Sequence, residues 1–240
     1  MRTGWFEGHL PRIIAHRGLA TDAPENSIAA FRAALAAGAT HLETDARATS
    51  DGVAVLVHDE CVERDAAAVR TLNLDRLRRL LPSVCTLDEA LAALPDAPFN
   101  VDVKDVHAAR PVVRAVLRRR AAARVLITSF RGSRRRAAVR RLPPVATSAS
   151  SAAVALALAG MELRLPLARA ALAGVDAVQI PQRRGRIDLS TQRRIAAFHA
   201  AGVEVHFWVV NDPDRMRELV RRGADGIITD RPDLASSALR

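Results

Sequence analysis

The chain contains 240 residues, of which 49% are hydrophobic and 3% aromatic, and its formal net charge is +10. This length and apolar content allow a large buried core and exclude a disordered tail, a disulfide scaffold and a collagen-like repeat. Because no run of about 18 apolar residues occurs, no membrane-spanning helix is expected. Residues 1–10 lack the basic-then-apolar order of a signal peptide, so we expect a cytoplasmic protein in which Cys61 and Cys85 are reduced.

The chain alternates short apolar segments, typical of buried strands, with stretches whose apolar residues recur at helical spacing. Asn26 is predicted to cap the first helix, and Asn211 and Asp212 place a cap before Pro213, which can start a later one. Four helices are predicted to end in a glycine that closes the last turn and leads into a strand. These glycines are Gly38, Gly174, Gly202 and Gly223. The eight predicted strands are residues 12–15, 41–45, 100–104, 125–129, 145–148, 177–180, 203–210 and 226–229.

Eight alternations favour an α/β fold of the TIM (β/α)8 barrel type over an open doubly wound sheet. Neither a G-x-G-x-x-G nor a Walker A motif occurs, which weakens a nucleotide-binding interpretation. Residues 53–58 follow the turn signal Asp51-Gly52 and predict a short hairpin insertion after the second strand. No linker rich in Pro, Gly or Ser interrupts the chain, so we expect one domain over residues 1–240 with a core at about residues 11–236.

Arginine supplies all but one of the 36 basic residues, and Lys104 is the single lysine. Residues 106–161 contain twelve arginines and no acidic residue, so this segment carries +12 and the rest of the chain −2. Its arginines lie at residues 110–141, mostly on predicted exterior helices, so a solvated face is the default interpretation. A non-catalytic barrel that binds an anionic partner is an alternative. Nucleic acid is not favoured as that partner, because the segment has little aromatic interleaving and no binding motif.

Polar side chains gather where the predicted strands end, which in a parallel barrel is the end that forms active sites. His16 and Arg17 end the first strand and offer a proton carrier and a planar cation that suits phosphate. Glu43 and Asp45 lie two residues apart on the second strand, so both side chains point to one face. Because adjacent carboxylates repel each other, a divalent cation of the Mg²⁺ or Ca²⁺ type is favoured over pairing with arginine.

The same spacing recurs at Asp102 and Lys104, which are a candidate third metal ligand and a candidate phosphate partner. An internal ion pair is the alternative, but one lysine in an arginine-rich chain indicates a position that excludes the bulkier guanidinium. His58 ends the hairpin strand and brings a second histidine to the same end. This set suits metal-assisted phosphoryl transfer, with one histidine as base and the other as acid. Trp208 either lines the substrate pocket or belongs to the core.

Residues 13–60 contain HRG, then PENS opening a helix, then GA, ETD, TSDG and a strand that ends in HD. These elements, in this order, resemble the glycerophosphodiester phosphodiesterase family. Weaker matches follow in TLDEAL, NVDVK, TSF, WVVND and GADGIITDRPD, so the resemblance covers nearly the whole chain.

The resemblance implies a TIM barrel and metal-dependent hydrolysis of small-molecule glycerophosphodiesters to glycerol 3-phosphate and an alcohol. By position it implies an acid–base pair, two cations beside the phosphate and three metal ligands. These are His16 and His58, then Arg17 and Lys104, then Glu43, Asp45 and Asp102.

Three departures from the family pattern bear on the site. Asp102 stands where the family usually has Glu, and WVVN stands for the common WTVN. The segment between His58 and Thr86, in which residues 61–65 only partly match, is short and predicts a more open site. An open site suits bulkier or lipid-like substrates, so a lysophospholipase D-type enzyme with peripheral membrane contact is an alternative function.

Overall fold

Strands and helices alternate through residues 3–62, 67–163 and 167–239, which the computed structural model describes. The strands are β1 (Arg12–His16), β2 (His41–Ala48), β3 (Ala54–Leu56), β4 (Cys61–Val62), β5 (Ala67–Ala68), β6 (Phe99–Val103), β7 (Val125–Thr128), β8 (Ala146–Thr147), β9 (Ala177–Pro181), β10 (Arg183–Arg184), β11 (Ile187–Asp188), β12 (Glu204–Trp208) and β13 (Gly226–Thr229). The helices are α1 (Ile28–Ala36), α2 (Leu74–Leu80), α3 (Leu87–Ala93), α4 (Ala109–Arg118), α5 (Gly132–Val139), α6 (Ser151–Glu162), α7 (Leu167–Ala171), α8 (Gln192–Ala200), α9 (Pro213–Arg221) and α10 (Pro232–Leu239).

Eight parallel strands form the barrel, in the order β8-β7-β6-β2-β1-β13-β12-β9. The two end strands meet through one parallel bridge between Ser148 and Ala177, and the Ala149 amide donates to the Ala177 carbonyl at 2.9 Å. Each of the eight predicted strands is present, and the expected TIM (β/α)8 architecture is confirmed. The open doubly wound sheet is excluded, because the strand order closes on itself.

Alternation along the strands divides the core into two clusters. Side chains that face outward pack against the helices, as Phe99 does against Phe31 with ring centroids 5.6 Å apart. Side chains that face inward meet Trp5, which lies on the short 3-10 helix Gly4–Phe6. The Trp5 indole donates to the Phe99 carbonyl at 3.1 Å, so this helix closes the N-terminal end of the barrel. The opposite, C-terminal end of the barrel stays open and holds the cavity described below.

Helix ends mostly follow the predictions. Gly38, Gly174, Gly202 and Gly223 all have positive φ angles, and Asp212 caps α9 with Pro213 as its first residue. The predicted cap at Asn26 is wrong. Ser27 caps α1, its hydroxyl accepting from the Ala30 amide at 3.2 Å, because Asn26 adopts φ 56° and turns its side chain to a neighbouring strand.

The insertion after β2 is larger than a hairpin. The predicted antiparallel partner is present, with Leu56 of β3 opposite Ala46 of β2. The paired strands β4 and β5 and helix α2 follow, and they pack around a separate apolar cluster that includes Val55, Val62 and Leu77. Residues 63–66 lie outside the described residues, and with them most of the segment compared with the family at residues 61–65.

Both cysteines are free thiols, Cys61 exposed and Cys85 buried. None of the helices within the described ranges has the length and apolar character needed to cross a bilayer.

The basic segment divides into structural and exposed arginines. Arg124 donates to the carbonyls of Leu91, Leu94 and Ala97. Arg134 and Arg135 are also partly buried, donating to the Lys104 carbonyl and the Thr147 hydroxyl respectively. The remaining nine arginines of the segment are exposed, on α4 and α5 or in the residues that adjoin these helices.

Candidate active site

A cavity of about 500 Å³ opens at the C-terminal ends of the barrel strands. All eight side chains that the sequence singles out border it, although they come from segments spread along the chain. They are His16, Arg17, Glu43, Asp45, His58, Asp102, Lys104 and Trp208.

The exit from β1 is a sharp turn that places His16 and Arg17 at the cavity. Arg17 has φ 58° and Gly18 has φ 90°. A side-chain carbon at Gly18 would lie 2.7 Å from the Ala30 carbonyl carbon, so the chain passes too close to α1 for any larger residue. The turn brings the Arg17 amide to the Glu43 carbonyl at 3.1 Å, which ties the end of β1 to β2.

His16 is oriented by a carboxylate from the last strand of the barrel. Its Nδ1 lies 2.7 Å from Asp230 Oδ1, and Asn211 Nδ2 donates to the other Asp230 oxygen at 2.8 Å. The hydrogen bond with His16 lowers the pKa of Asp230, so the ionised carboxylate accepts and His16 Nδ1 donates. The other ring nitrogen, His16 Nε2, lies 4.0 Å from Glu43 Oε2.

Sequence reasoning missed Asp230 and Asn211. Both lie in motifs that carry the family resemblance, WVVND and GADGIITDRPD, and both follow barrel strands at the end that holds the cavity. The position of polar residues after β12 and β13 was the available signal, but nothing in the sequence joins Asp230 to a histidine 214 residues away.

His58 has an arrangement like that of His16. Its Nδ1 lies 2.8 Å from Asp59 Oδ1. The His58 carbonyl accepts from Arg47 Nε at 2.9 Å, which fastens the end of the insertion's first strand to β2. The cavity is thus bordered by two histidines. In each, Nδ1 contacts a carboxylate and Nε2 does not contact that carboxylate.

Three carboxylates and two cations form the polar floor. Asp45 and Asp102 are register neighbours on β2 and β6. Lys104 Nζ lies 2.7 Å from an oxygen of each of them, and Arg17 Nε lies 3.0 Å from the second Asp45 oxygen. The internal ion pair that the sequence left open is therefore present.

The floor holds more negative charge than its cations balance. Burial, together with repulsion from Asp45 and Asp102, raises the pKa of Glu43 well above its usual value. Burial also raises the pKa of Asp102, against the opposing attraction of Lys104. Burial would raise the pKa of Asp45 as well, but Lys104 and Arg17 outweigh it and hold that pKa low. For Lys104, burial lowers the pKa and attraction to both aspartates more than restores it.

The donor atoms of the floor are of the type that binds a hard cation, but their side chains do not converge on one point. Asp102 Oδ1 is a buried oxygen without a hydrogen-bond partner among the described residues, and the donors are all carboxylates, which Mg²⁺ and Ca²⁺ prefer. In the part of the chain that is described, no three His, Cys, Asp or Glu side chains converge closely enough to ligate a metal. Lys104 lies between Asp45 and Asp102 instead.

Asn26, which the sequence predicted to be a helix cap, instead contacts a carboxylate of the floor. It is buried, its Nδ2 donates to Asp45 Oδ2 at 3.2 Å, and its Oδ1 accepts from the Thr44 hydroxyl at 2.7 Å. The Cys85 thiol donates to the Asn26 carbonyl at 3.3 Å. Burial raises the pKa of Cys85 to about 12, so this thiol holds the Asn26 backbone and is not a nucleophile.

One wall of the cavity is apolar. Trp208 lines it and meets Phe130 edge to face, with ring centroids 5.8 Å apart. Val154 and Leu158 of α6 and Leu189 complete this wall. Trp208 thus belongs to the pocket, the first of the two interpretations that the sequence allowed.

The remaining histidines with defined contacts lie away from the cavity. His41 and His206 are buried at the closed end of the barrel, and burial lowers the pKa of His41 to about 3. His199 pairs with Asp225 on the exterior at 2.7 Å.

Residues 16–234 match the Glycerophosphoryl diester phosphodiesterase family. The chain belongs to this family. A Mycobacterium tuberculosis protein named Probable glycerophosphodiester phosphodiesterase 2 is 41% identical over 249 residues, which cover 98% of this chain and 93% of that protein. Membership confirms the expected enzyme class, a phosphoric diester hydrolase.

Solved structures share the fold at lower identity. A glycerophosphodiester phosphodiesterase from Thermotoga maritima has a TM-score of 0.74 at 23% identity, covering 98% of this chain and 100% of that one. A phosphodiesterase from Oleispira antarctica, in complex with the product sn-glycerol-3-phosphate, has a TM-score of 0.76 at 21% identity, covering 96% and 97%. These two likenesses support the barrel architecture.

Proposed function

We propose that this family member hydrolyses glycerophosphodiesters to glycerol 3-phosphate and an alcohol. The observation that carries the proposal is one cavity bordered by two carboxylate-oriented histidines and by the cations Arg17 and Lys104. The product bound by the Oleispira antarctica relative, sn-glycerol-3-phosphate, supports the same substrate class for this barrel.

The two histidines act as the acid–base pair. With Nδ1 donating to Asp230, His16 presents Nε2 for proton transfer, and Asp59 orients His58 in the same way. One histidine takes the proton of the nucleophile, either water or the adjacent glycerol hydroxyl, and the other protonates the departing alcohol. General acid–base catalysis of this kind contributes about 10²–10⁴-fold each.

Arg17 and Lys104 stabilise the charge on the phosphoryl oxygens. Arg17 is fixed by Glu25 at 3.0 Å and by Asp45, so its guanidinium is held in place before substrate arrives. Lys104 is held between two aspartates. Cations placed in advance cost no reorganisation when charge develops in the transition state.

Glu43, Asp45 and Asp102 are the residues that would hold a divalent cation, Mg²⁺ or Ca²⁺. The raised pKa of Glu43 and the unpartnered Asp102 Oδ1 support this, since both indicate unbalanced carboxylate oxygen at the floor. Such a cation, when bound, supplies further neutralisation of phosphoryl charge.

A substrate panel tests the proposal. Glycerophosphocholine and glycerophosphoethanolamine are offered with Mg²⁺, Ca²⁺ or Mn²⁺, with and without chelator, and glycerol 3-phosphate is measured. We expect release with metal and loss of release with chelator. No release from any head group with any of the three metals contradicts the proposed reaction, and release that survives the chelator contradicts the metal requirement alone.

A leaving-group comparison tests the acid–base pair. The p-nitrophenyl diester of glycerol phosphate needs no protonation of its leaving group. The variant that lacks the acid, His16→Ala or His58→Ala, is therefore expected to recover on this substrate, whereas the variant that lacks the base is not. Equal loss in both variants on both substrates contradicts the division of roles.

A lysophospholipase D-type activity is the second candidate, and the apolar wall favours it. Phe130, Leu158 and Leu189 offer a surface for an acyl chain beside the reacting phosphate. Parallel assays of lysophosphatidylcholine and glycerophosphocholine separate the two functions by their ratio of kcat/KM. A higher value for the lysophospholipid favours this second function.

A further inference from the structure

A group of exposed arginines lies beside the entrance to the cavity, and these arginines have no side-chain acceptor within the described ranges. The connection after β9 forms a hairpin, β10–β11, with Arg183, Arg184 and Arg186 exposed. No side-chain acceptor is found for these three among the described residues. Asp188, which faces Arg183 across the hairpin, is committed elsewhere, since its Oδ1 accepts from the Ser190 hydroxyl at 2.6 Å.

Exposed apolar side chains stand among these cations. Ile187, on the same hairpin, is 51% exposed, and Phe130, after β7, is 55% exposed. Arg131 follows Phe130 and is also exposed without an acceptor in the described chain. Phe130 borders the cavity directly, and the hairpin borders it through Arg184. We call Phe130, Arg131, Arg183, Arg186 and Ile187 the cavity rim.

We propose that the cavity rim docks the enzyme on an anionic lipid bilayer, with Ile187 and Phe130 entering the interface and the arginines contacting lipid phosphates. Charge complementarity commits the rim to this partner, because juxtamembrane arginines attract anionic leaflets. The mixture of arginine with exposed aliphatic and aromatic side chains is typical of interfacial binding. Nucleic acid would engage the arginines but would leave Ile187 without a role.

Docking in this orientation brings the cavity entrance to the bilayer surface. The apolar wall, with Leu158 and Leu189, begins next to the rim. Substrates that derive from lipid then reach the site from the membrane plane as well as from solution. This inference concerns binding and does not rest on the proposed chemistry, since a vesicle assay reads no turnover.

Vesicle sedimentation of the full chain tests the proposal. The probes are vesicles of phosphatidylcholine alone and vesicles of phosphatidylcholine with phosphatidylglycerol, and we expect binding to the second only, weakened by salt. One rim variant carries Arg183→Gln with Arg186→Gln. Its charge-matched control carries Arg136→Gln on α5 together with Arg140→Gln, at the residue just after this helix. Both arginines are exposed and lie outside the rim. Both double variants change the net charge from +10 to +8.

Removal of two rim arginines is expected to weaken vesicle binding about 30-fold, since each contributes about 1 kcal/mol at an anionic surface. The α5 control is expected to stay within about threefold of wild type, and Ile187→Ser is expected to lose about tenfold without a change in charge. Three results would each overturn the proposal. These are an equal loss of vesicle binding in the two double variants, wild-type vesicle binding by Ile187→Ser, and no vesicle binding by the wild-type protein. The proposal is also overturned if duplex DNA displaces the protein from vesicles and the binding of that DNA requires the rim arginines but not Ile187.

Discussion

At the scale of single residues, each histidine of the cavity depends on a neighbouring carboxylate for its orientation. Asp230 is the better braced of the two carboxylates, because Asn211 donates to its second oxygen while its first accepts from His16. Among the described residues, no comparable donor supports Asp59 in its contact with His58. In the proposed mechanism Asp230 is thus a positioning residue that acts through His16.

We expect Asp230→Asn to lower kcat for glycerophosphocholine by about 10²-fold with little change in KM, because the amide no longer favours the His16 tautomer with the proton on Nδ1. The control is Asp225→Asn, which alters another His–Asp pair of 2.7 Å, with His199, outside the cavity. Steady-state kinetics and urea unfolding of both variants provide the measurement. Equal kcat in the two variants would show that Asp230 has no part in catalysis.

Lys104 offers a second prediction at this scale. Lys104→Met removes the ammonium that lies between Asp45 and Asp102 and leaves buried carboxylates in mutual repulsion. We expect the free energy of unfolding to fall by about 2–3 kcal/mol, below the full cost of breaking a buried ion pair because Lys104 retains some exposure. Urea unfolding at neutral pH measures the change.

The matched variant Lys104→Arg keeps the positive charge. We expect it to recover most of the stability but to remain at least about tenfold slower in kcat, since the planar guanidinium does not reproduce one ammonium shared by two carboxylates. Full activity in Lys104→Arg would refute the inference drawn from the single lysine of the chain.

The sequence predicted the position of the three floor carboxylates, because their location follows from their place on a strand. Glu43, Asp45 and Asp102 lie at the cavity because alternation along a strand fixes their face. Asn26 and Asp230 were missed for a different reason. Their partners, Asp45 and His16, come from other strands, and only the closed barrel brings them together.

At the scale of elements, the turn after β1 sets the active-site geometry. We expect Gly18→Ala to lower the free energy of unfolding by more than about 2 kcal/mol, from the positive φ and from overlap with Ala30 at 2.7 Å. Gly174→Ala is the control, because Gly174 also has a positive φ but nothing lies near its missing side chain. Its expected cost is about 1 kcal/mol.

Thermal unfolding and activity separate these effects. Gly18→Ala is expected to lose activity as well as stability, because the turn carries His16 and Arg17, whereas Gly174→Ala keeps its kcat. If both variants lose the same stability and keep their activity, the close approach to α1 is not what holds the turn.

Elements with strong local signals were predicted well, and elements held by tertiary contacts were not. The apolar strands and the glycines at helix ends are local features, and they were found. Helix α2 and the ribbon of β4 and β5 were not predicted. They are stabilised by a small apolar cluster around Val55 and Leu77, which gives no periodic pattern in the sequence. The cap of α1 moved from Asn26 to Ser27 because Asp45 binds the Asn26 side chain.

At the scale of the whole molecule, a buried ion pair closes the end of the barrel opposite the cavity. Arg12 donates twice to Glu204, at 2.8 and 3.0 Å, and also to the Phe6 carbonyl of the N-terminal 3-10 helix. Burial alone would raise the pKa of Glu204, but hydrogen bonds from Arg12 and His206 outweigh it and lower the pKa to about 2.

Because the pKa of Glu204 is lowered on folding, the stability of the barrel depends on pH in the acid range. The unfolded chain binds a proton at Glu204 near pH 4.5 and the folded chain only near pH 2, so this stabilisation is complete above pH 4.5 and is lost as the pH falls toward 2. Urea unfolding between these pH values is expected to show a steeper decline for wild type than for Glu204→Gln. Parallel declines would mean that Glu204 does not couple folding to pH.

The barrel itself was predictable, because eight alternating units leave few other arrangements. The closure of one barrel end by Trp5 and Arg12 was not predictable. Their partners, Phe99 and Glu204, are distant along the chain, and only the folded barrel brings them together. The organisation of residues 1–240 as one domain, and a cytoplasmic location, stay predictions.

The proposed function is that the two-histidine cavity cleaves glycerophosphodiesters. The most direct measurement is the release of glycerol 3-phosphate from glycerophosphocholine by wild type and by His16→Ala at the same metal concentration, with the unfolding free energy of both proteins determined in parallel. We expect release by wild type and a loss of at least about 10²-fold in a His16→Ala variant that remains folded. Unchanged release by a folded His16→Ala protein would contradict the proposed function.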